Sequence, residues 1–119
     1  MNADTALFRH LQSGLGESVT VARDVPAGFS ESGLPLVTVT RTGGDYDGFT
    51  DSSTFEVLLW AEDLKSLHDL RDRAATLIAD ADEWVAGFVA ASLKGSFRDD
   101  DSTRGLPRWS LTADLKFQE

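Results

Sequence analysis

The sequence predicts an α+β fold: a largely antiparallel or mixed sheet of about five strands, with a short N-terminal helix and one long helix packed on one face. Three observations lead there. Residues 109–117 alternate, with Trp109, Leu111, Ala113, Leu115 and Phe117 on one side and Ser110, Thr112, Asp114 and Lys116 on the other, the period of a strand buried on one face. Leu67, Leu70, Ala74, Leu77, Ile78 and Ala81 recur at helical spacing and make a single apolar stripe. Strand-like segments also adjoin strand-like segments at both ends of the chain, which favours antiparallel pairing over a doubly wound arrangement.

Residues 4–14 read as the first helix, with Asp4 or Thr5 as cap, Leu7 and Leu11 on one face and Gly14 as the left-handed stop. Val19, Val21 and Val25 alternate along residues 19–25, a half-buried strand ended by Pro26. Residues 26–35 form a loop rich in Gly, Ser and Pro, and residues 36–40 a second, β-branched strand. Thr42-Gly43-Gly44-Asp45-Tyr46-Asp47-Gly48 is turn-rich and suits a projecting hairpin tip. Its returning strand, 54–61, puts Phe55, Val57 and Leu59 on one face and Glu56, Leu58 and Trp60 on the other, so its inner end should be covered on both sides.

The long helix begins near Asp63, where Glu62 and Asp63 suit the helix dipole; Asp80, Asp82 and Glu83 at the far end oppose it unless the helix has ended by Asp82. Residues 84–93 are apolar and small and read as a strand after a turn. Residues 95–107 are polar and read as an exposed loop or a long hairpin connection. There is no internal repeat, and residues 1–119 are expected to form a single domain.

Charge and composition narrow the function classes. Eleven Lys and Arg against twenty Asp and Glu leave a net charge of −9 and a pI near 4.5, so gripping phosphates is not the expected task, and an acidic surface repels DNA instead. The absence of cysteine excludes disulfides, thiolate metal sites and thiol nucleophiles, and is compatible with a reducing compartment. The longest nearly apolar run, residues 85–91, falls far short of a membrane helix, and the N-terminus lacks the basic and apolar regions of a secretory signal.

Sites of chemistry are sparse. His10 and His68 each lie in a predicted helix among polar neighbours, without the spacing of a zinc or calcium motif, and are expected on the surface. Aligning Gly48 with the glycine of a calcium loop puts Gly43 and Thr54 where carboxylates are required. Gly14-Leu15-Gly16 follows a helix rather than a strand and lacks the third glycine of a dinucleotide fingerprint. Asp99, Asp100 and Asp101 have the chemistry to hold Mg²⁺, although such a run is more often a solvated face. Trp60, Trp84 and Trp109 have strand or strand-edge positions and are expected in the core. No catalytic residue, cofactor or metal ligand is assigned. A domain of this kind is expected to act through its surface, and its edge strands and projecting loops suit a subunit of a closed ring.

The order of these elements resembles the tail terminator proteins of long-tailed, non-contractile phages, including the lambda-type minor tail protein family. The resemblance rests on the Val-Thr-Val-Ala-Arg-Asp-Val-Pro strand after a short helix, the hairpin ending in Phe55-Glu56-Val57-Leu58-Leu59-Trp60-Ala61, the long helix, and the acidic loop that leads into Pro107-Arg108-Trp109-Ser110-Leu111. The family often carries Tyr where this chain has Trp109. The resemblance covers nearly the whole chain and implies a non-enzymatic virion protein. It implies a homohexameric ring on the last ring of the tail tube, which stops polymerisation and offers a surface for head-tail joining.

Its partners would be further copies of itself, the tail tube protein and a head-completion or neck protein. It would assemble in the host cytoplasm and end in the virion at the head-tail junction, with DNA passing through unbound and no membrane involved. In such a ring Arg98, Arg104 and Arg108, three arginines within eleven residues of an acidic chain, are candidates to pair with a neighbour's carboxylates, with Asp45 and Asp47 on the hairpin as further interface candidates. Asp80, Asp82, Glu83, Asp99 and Asp100 are candidates for an acidic lumen that repels DNA. Alternatives are another phage neck or head-completion protein, a small ligand-binding or enzymatic α+β domain built on His68 and Asp80, and, more weakly, an acidic DNA mimic.

Overall fold

The computed structural model describes residues 2–30 and 33–118. It is an α+β fold with the elements α1 (Ala3–Leu15), β1 (Thr20–Ala22), β2 (Leu36–Tyr46), β3 (Thr50–Trp60), α2 (Leu64–Ala79), α3 (Ala81–Trp84), β4 (Phe88–Arg98) and β5 (Arg108–Gln118). The five strands form one mixed sheet in the order β1-β2-β3-β5-β4, with only the short β1–β2 pair parallel. The helices cover one face, where Val37, Val39, Phe55, Val57, Leu59, Leu111, Ala113 and Leu115 meet Leu7, Leu11, Leu67, Leu70, Ala74 and Ile78 in the main core. Each strand sends alternate side chains into that core, so a register slip of one residue would turn the apolar set to solvent.

Helix ends are set by side chains close to those the pattern suggested. α1 is capped by Asn2, whose side-chain oxygen accepts from the Thr5 amide at 2.9 Å, rather than by Asp4 or Thr5. It runs past Gly14 and stops at Gly16, which has φ +85°. Gly14 is needed for a different reason: a Cβ there would collide with Leu77, so the missing side chain lets α1 and α2 approach closely. Asp63 caps α2 through the Ser66 amide at 2.8 Å. α2 ends at Ala79, and Asp82 and Glu83 belong to the first turn of α3, where the dipole favours acids.

Three strand boundaries differ from the periodicity. β1 stops at Ala22, because beyond it the chain leaves the sheet and Val25 packs on the opposite face. The β2–β3 hairpin is longer than expected: pairing continues through Gly43 and Gly44 after a register shift between Arg41 and Gly43, leaving only Asp47, Gly48 and Phe49 at the tip. β4 begins at Phe88 and extends to Arg98, so residues 95–98, read from sequence as loop, are strand. Register shifts at Phe88/Ala90 and Leu93/Gly95 each insert a residue and scramble the period-two signal.

On the face away from the helices, the inner end of β3 is covered, as its two-sided pattern required. Leu36, Trp60 and Leu106 form a second apolar cluster with Val25, Phe29, Leu34 and Leu58 packed around it. Toward the hairpin tip the same face is open and polar, with Ser52, Thr54, Ser92, Asp114 and Lys116 along a groove.

Candidate interaction surface

The acidic loop between β4 and β5 shows how tightly the arginines and aspartates of this chain are engaged. Asp101 is 4% exposed and accepts from Trp60 Nε1 at 3.0 Å and from Arg104 through its amide at 3.2 Å and its guanidinium at 2.9 Å. Burial works to raise its pKa, but these donors outweigh it and lower it to about 2. Arg104 lies over Phe29, and Arg108 lies over Trp60 while donating to the Asp99 carbonyl at 2.7 Å and its carboxylate at 3.1 Å. Arg98 pairs with Asp100 at 2.9 Å.

The three consecutive aspartates therefore point to three different partners and are not gathered into a cation site. Among the described residues no group of three His, Asp or Glu side chains is arranged to hold a metal ion. Arg98, Arg104 and Arg108 each pair with a carboxylate of their own chain. The lumen candidates separate into two groups. Asp80, Asp82 and Glu83 precede β4 and Asp99 and Asp100 follow it, at opposite ends of an eleven-residue strand. Asp82 and Glu83 are exposed and make no ion pair among the described residues, whereas Asp99 and Asp100 are held by Arg108 and Arg98.

His68 is exposed, as expected, and His10 is half-buried. His10 Nε2 donates to the Leu77 carbonyl at 2.8 Å, tying α1 to the end of α2. His68 meets Trp109 edge-on with centroids 5.6 Å apart, Arg71 stacks on the same ring at 4.7 Å, and Trp109 Nε1 donates to Ser96 Oγ at 2.8 Å. His68 and Asp80 do not share a pocket among those described. Trp60 is buried as expected and Trp109 partly so, but Trp84 is 74% exposed and is not a core residue.

Aromatic exposure concentrates at the hairpin end of the sheet. Tyr46 is 68% and Phe49 82% exposed. The tip that carries them is held by Asp47, whose Oδ1 accepts from the Phe49 amide at 2.9 Å and the Thr50 amide at 2.7 Å; these backbone donors keep its pKa below the usual carboxylate value. Farther along the hairpin, Arg41 forms a two-pronged pair with Asp51 at 2.6 and 2.8 Å and reaches Asp4 of α1 at 3.3 Å. That pair raises the arginine's pKa and lowers Asp51's. Of the interface candidates, Asp47 is thus a turn-forming residue, while Asp45 is exposed and unpaired among the described residues. Sequence reasoning named the hairpin but missed its aromatics; the available signal was Tyr and Phe flanking an Asp-Gly turn with no apolar partner in register.

No family model matches the chain, and no curated protein sequence matches it. Among solved structures, a chain of the "Virion of native gene transfer agent (GTA) particle" has the same fold, with a TM-score of 0.64 at 13% identity over 98% of this chain and 95% of that one. At that identity the likeness is one of fold. No helix among the described residues is long and apolar enough to cross a membrane.

Proposed function

We propose that this chain is a structural subunit of a phage-type virion, and specifically a tail terminator: a homohexameric ring that caps the tail tube, halts its growth and presents a surface for head-tail joining. The observation that carries the proposal is the end-to-end correspondence of fold with a chain of a virion particle, which leaves only 2% of this chain and 5% of that one unmatched. The α+β fold expected from the sequence, with a β2–β3 hairpin and α2 packed on one face of the sheet, is consistent with that reading.

Further support comes from the surface. The chain exposes aromatics on a stiffened projection, and β4 forms an open edge of the sheet, features that suit a subunit more than a solitary protein. If β4 runs along the channel, Asp80, Asp82 and Glu83 lie at one mouth and Asp99 and Asp100 at the other, and the net charge of −9 per copy keeps DNA moving by repulsion. Neighbouring copies, the tube protein and a head-completion protein are the proposed partners, and the virion's head-tail junction is the proposed location.

Adding the purified chain to growing tail tubes of the particle that encodes it tests this. Negative-stain micrographs are expected to show shortened tubes with an extra ring at one end. Tubes of unchanged length without a terminal ring would overturn the proposal. A ring of twelve subunits would transfer the chain to the head-completion class.

A further inference from the structure

The sheet has two open edges at the same height. Among the described residues β4 pairs with β5 and with no other strand, while β1 flanks β2 at Leu36, Val37 and Thr38. The chain leaving β1 still touches Thr40, whose hydroxyl donates to the Arg23 carbonyl at 3.4 Å, and beyond that point the outer edge of β2 is bare. Register shifts lie between Arg41 and Gly43 in β2 and at Phe88/Ala90 and Leu93/Gly95 in β4, so the regular stretches of the two edges are residues 43–46 and 90–93. Gly43, Thr54, Asp114 and Ser92 share one row across β2, β3, β5 and β4. Gly44, Ser53, Leu115 and Ala91 share the next, and Asp45, Ser52, Lys116 and Ala90 a third.

The unpaired N–H and C=O groups of such an edge are a template for another strand. Direction fits a second copy. β2, β3, β5 and β4 alternate in direction, so β4 runs antiparallel to β2. A copy turned about an axis along the strands brings its β2 edge antiparallel to β4 of the first, with both helix layers on one side of a continuous sheet.

Charge fits it too. Asp45, Lys94 and Lys116 are exposed and make no ion pair among the described residues, and both lysines line the groove beside β4 on the open face. In the docked copy Asp45 stands next to Ala90, and Lys116 lies just past that small side chain in the same row. We infer that copies of this chain join edge to edge, residues 90–93 of one pairing antiparallel with residues 43–46 of the next, and Lys116 and Lys94 attracting the neighbour's Asp45. The contact uses different surfaces on the two copies, as a closing ring requires. β1 confines it to this half of the sheet: Phe97, 53% exposed, lies in the row of Thr38, which β1 already flanks. The inference rests on the ring proposed above for the number of copies, and not for the pairing itself.

The chain has no cysteine, so introduced cysteines report the contact directly. Gly43 and Ser92 of one chain are three strand spacings apart, roughly 14 Å and too far for an internal disulfide, whereas the docked edges set Gly43 of one copy beside Ser92 of the next. A side chain at Gly43 has open space around it. The double variant Gly43→Cys/Ser92→Cys is expected to melt with the wild type when reduced. On mild oxidation, in solution or on tail tubes of the particle that encodes it, it should give a ladder of linked chains reaching six, and each single variant should stay unlinked. Asp45→Lys should weaken assembly on the order of tenfold, with recovery in Asp45→Lys/Lys94→Asp/Lys116→Asp. Six-copy assemblies whose double-variant chains stay unlinked overturn the inference and leave the ring standing, as does assembly unaffected by Asp45→Lys. A ladder of six from a chain that does not cap tubes supports the edge contact and overturns the terminator function. Neither ladder nor assembly overturns both.

Discussion

Asp101 is the residue on which the β4–β5 loop depends. Its carboxylate is buried and saturated by Trp60 and Arg104, so Asp101→Asn keeps the shape but puts an amide where acceptors are required. The expected loss is about 2–3 kcal/mol, measured by denaturant unfolding at neutral pH. The group's pKa is lowered from 3.8 to about 2 on folding, so the stability it contributes is complete above the ordinary carboxylate value and is lost as pH falls through about 2. An acid titration of wild type and Asp101→Asn should therefore converge at the low end; curves that stay parallel down to pH 2 would count against this role. Arg108→Glu removes a guanidinium from the face of Trp60 and sets a second acid beside Asp99, and should lower the melting temperature by on the order of 10 °C. A charge reversal at Arg108 that altered assembly with no loss of melting temperature would favour its interface role instead. These residues were visible in sequence only as a run of mixed charge, because nothing local reveals that Trp60, forty-one residues away, supplies the third donor.

At the level of elements, what the sequence made legible follows directly from how undisturbed each element is. β5 alternates without interruption and α2 carries one clean stripe, and both formed close to their expected ranges. β4 has two inserted residues and the β2–β3 hairpin one register shift, and each shift reverses the phase of the alternation, so the distal halves of these strands looked like loop. The two glycines at positions 43 and 44 reinforced that impression, since glycine is depleted in strands, yet Gly44 is what lets the strands stay paired. Gly44→Ala should accordingly lower stability by about 2 kcal/mol or more and loosen the tip, seen as faster amide exchange over residues 45–50. Exchange and stability equal to wild type would mean that the hairpin tolerates a side chain there.

For the whole molecule, the proposed function makes this small acidic α+β domain, with its exposed hairpin aromatics and free edge strand, a subunit that acts through what it assembles with. The candidate site was half legible on this scale: charge and the projecting hairpin pointed to surface function, whereas which strand lies beside which, and so that β4 is a free edge, depends on strand order β2-β3-β5-β4, which no local pattern encodes. The proposed channel and tube-capping ring both require a closed, sixfold assembly. Native mass spectrometry of the chain released from capped tail tubes measures that closure most directly. The account predicts a complex of six copies of the 12.9 kDa chain; a single copy, or twelve, would contradict it.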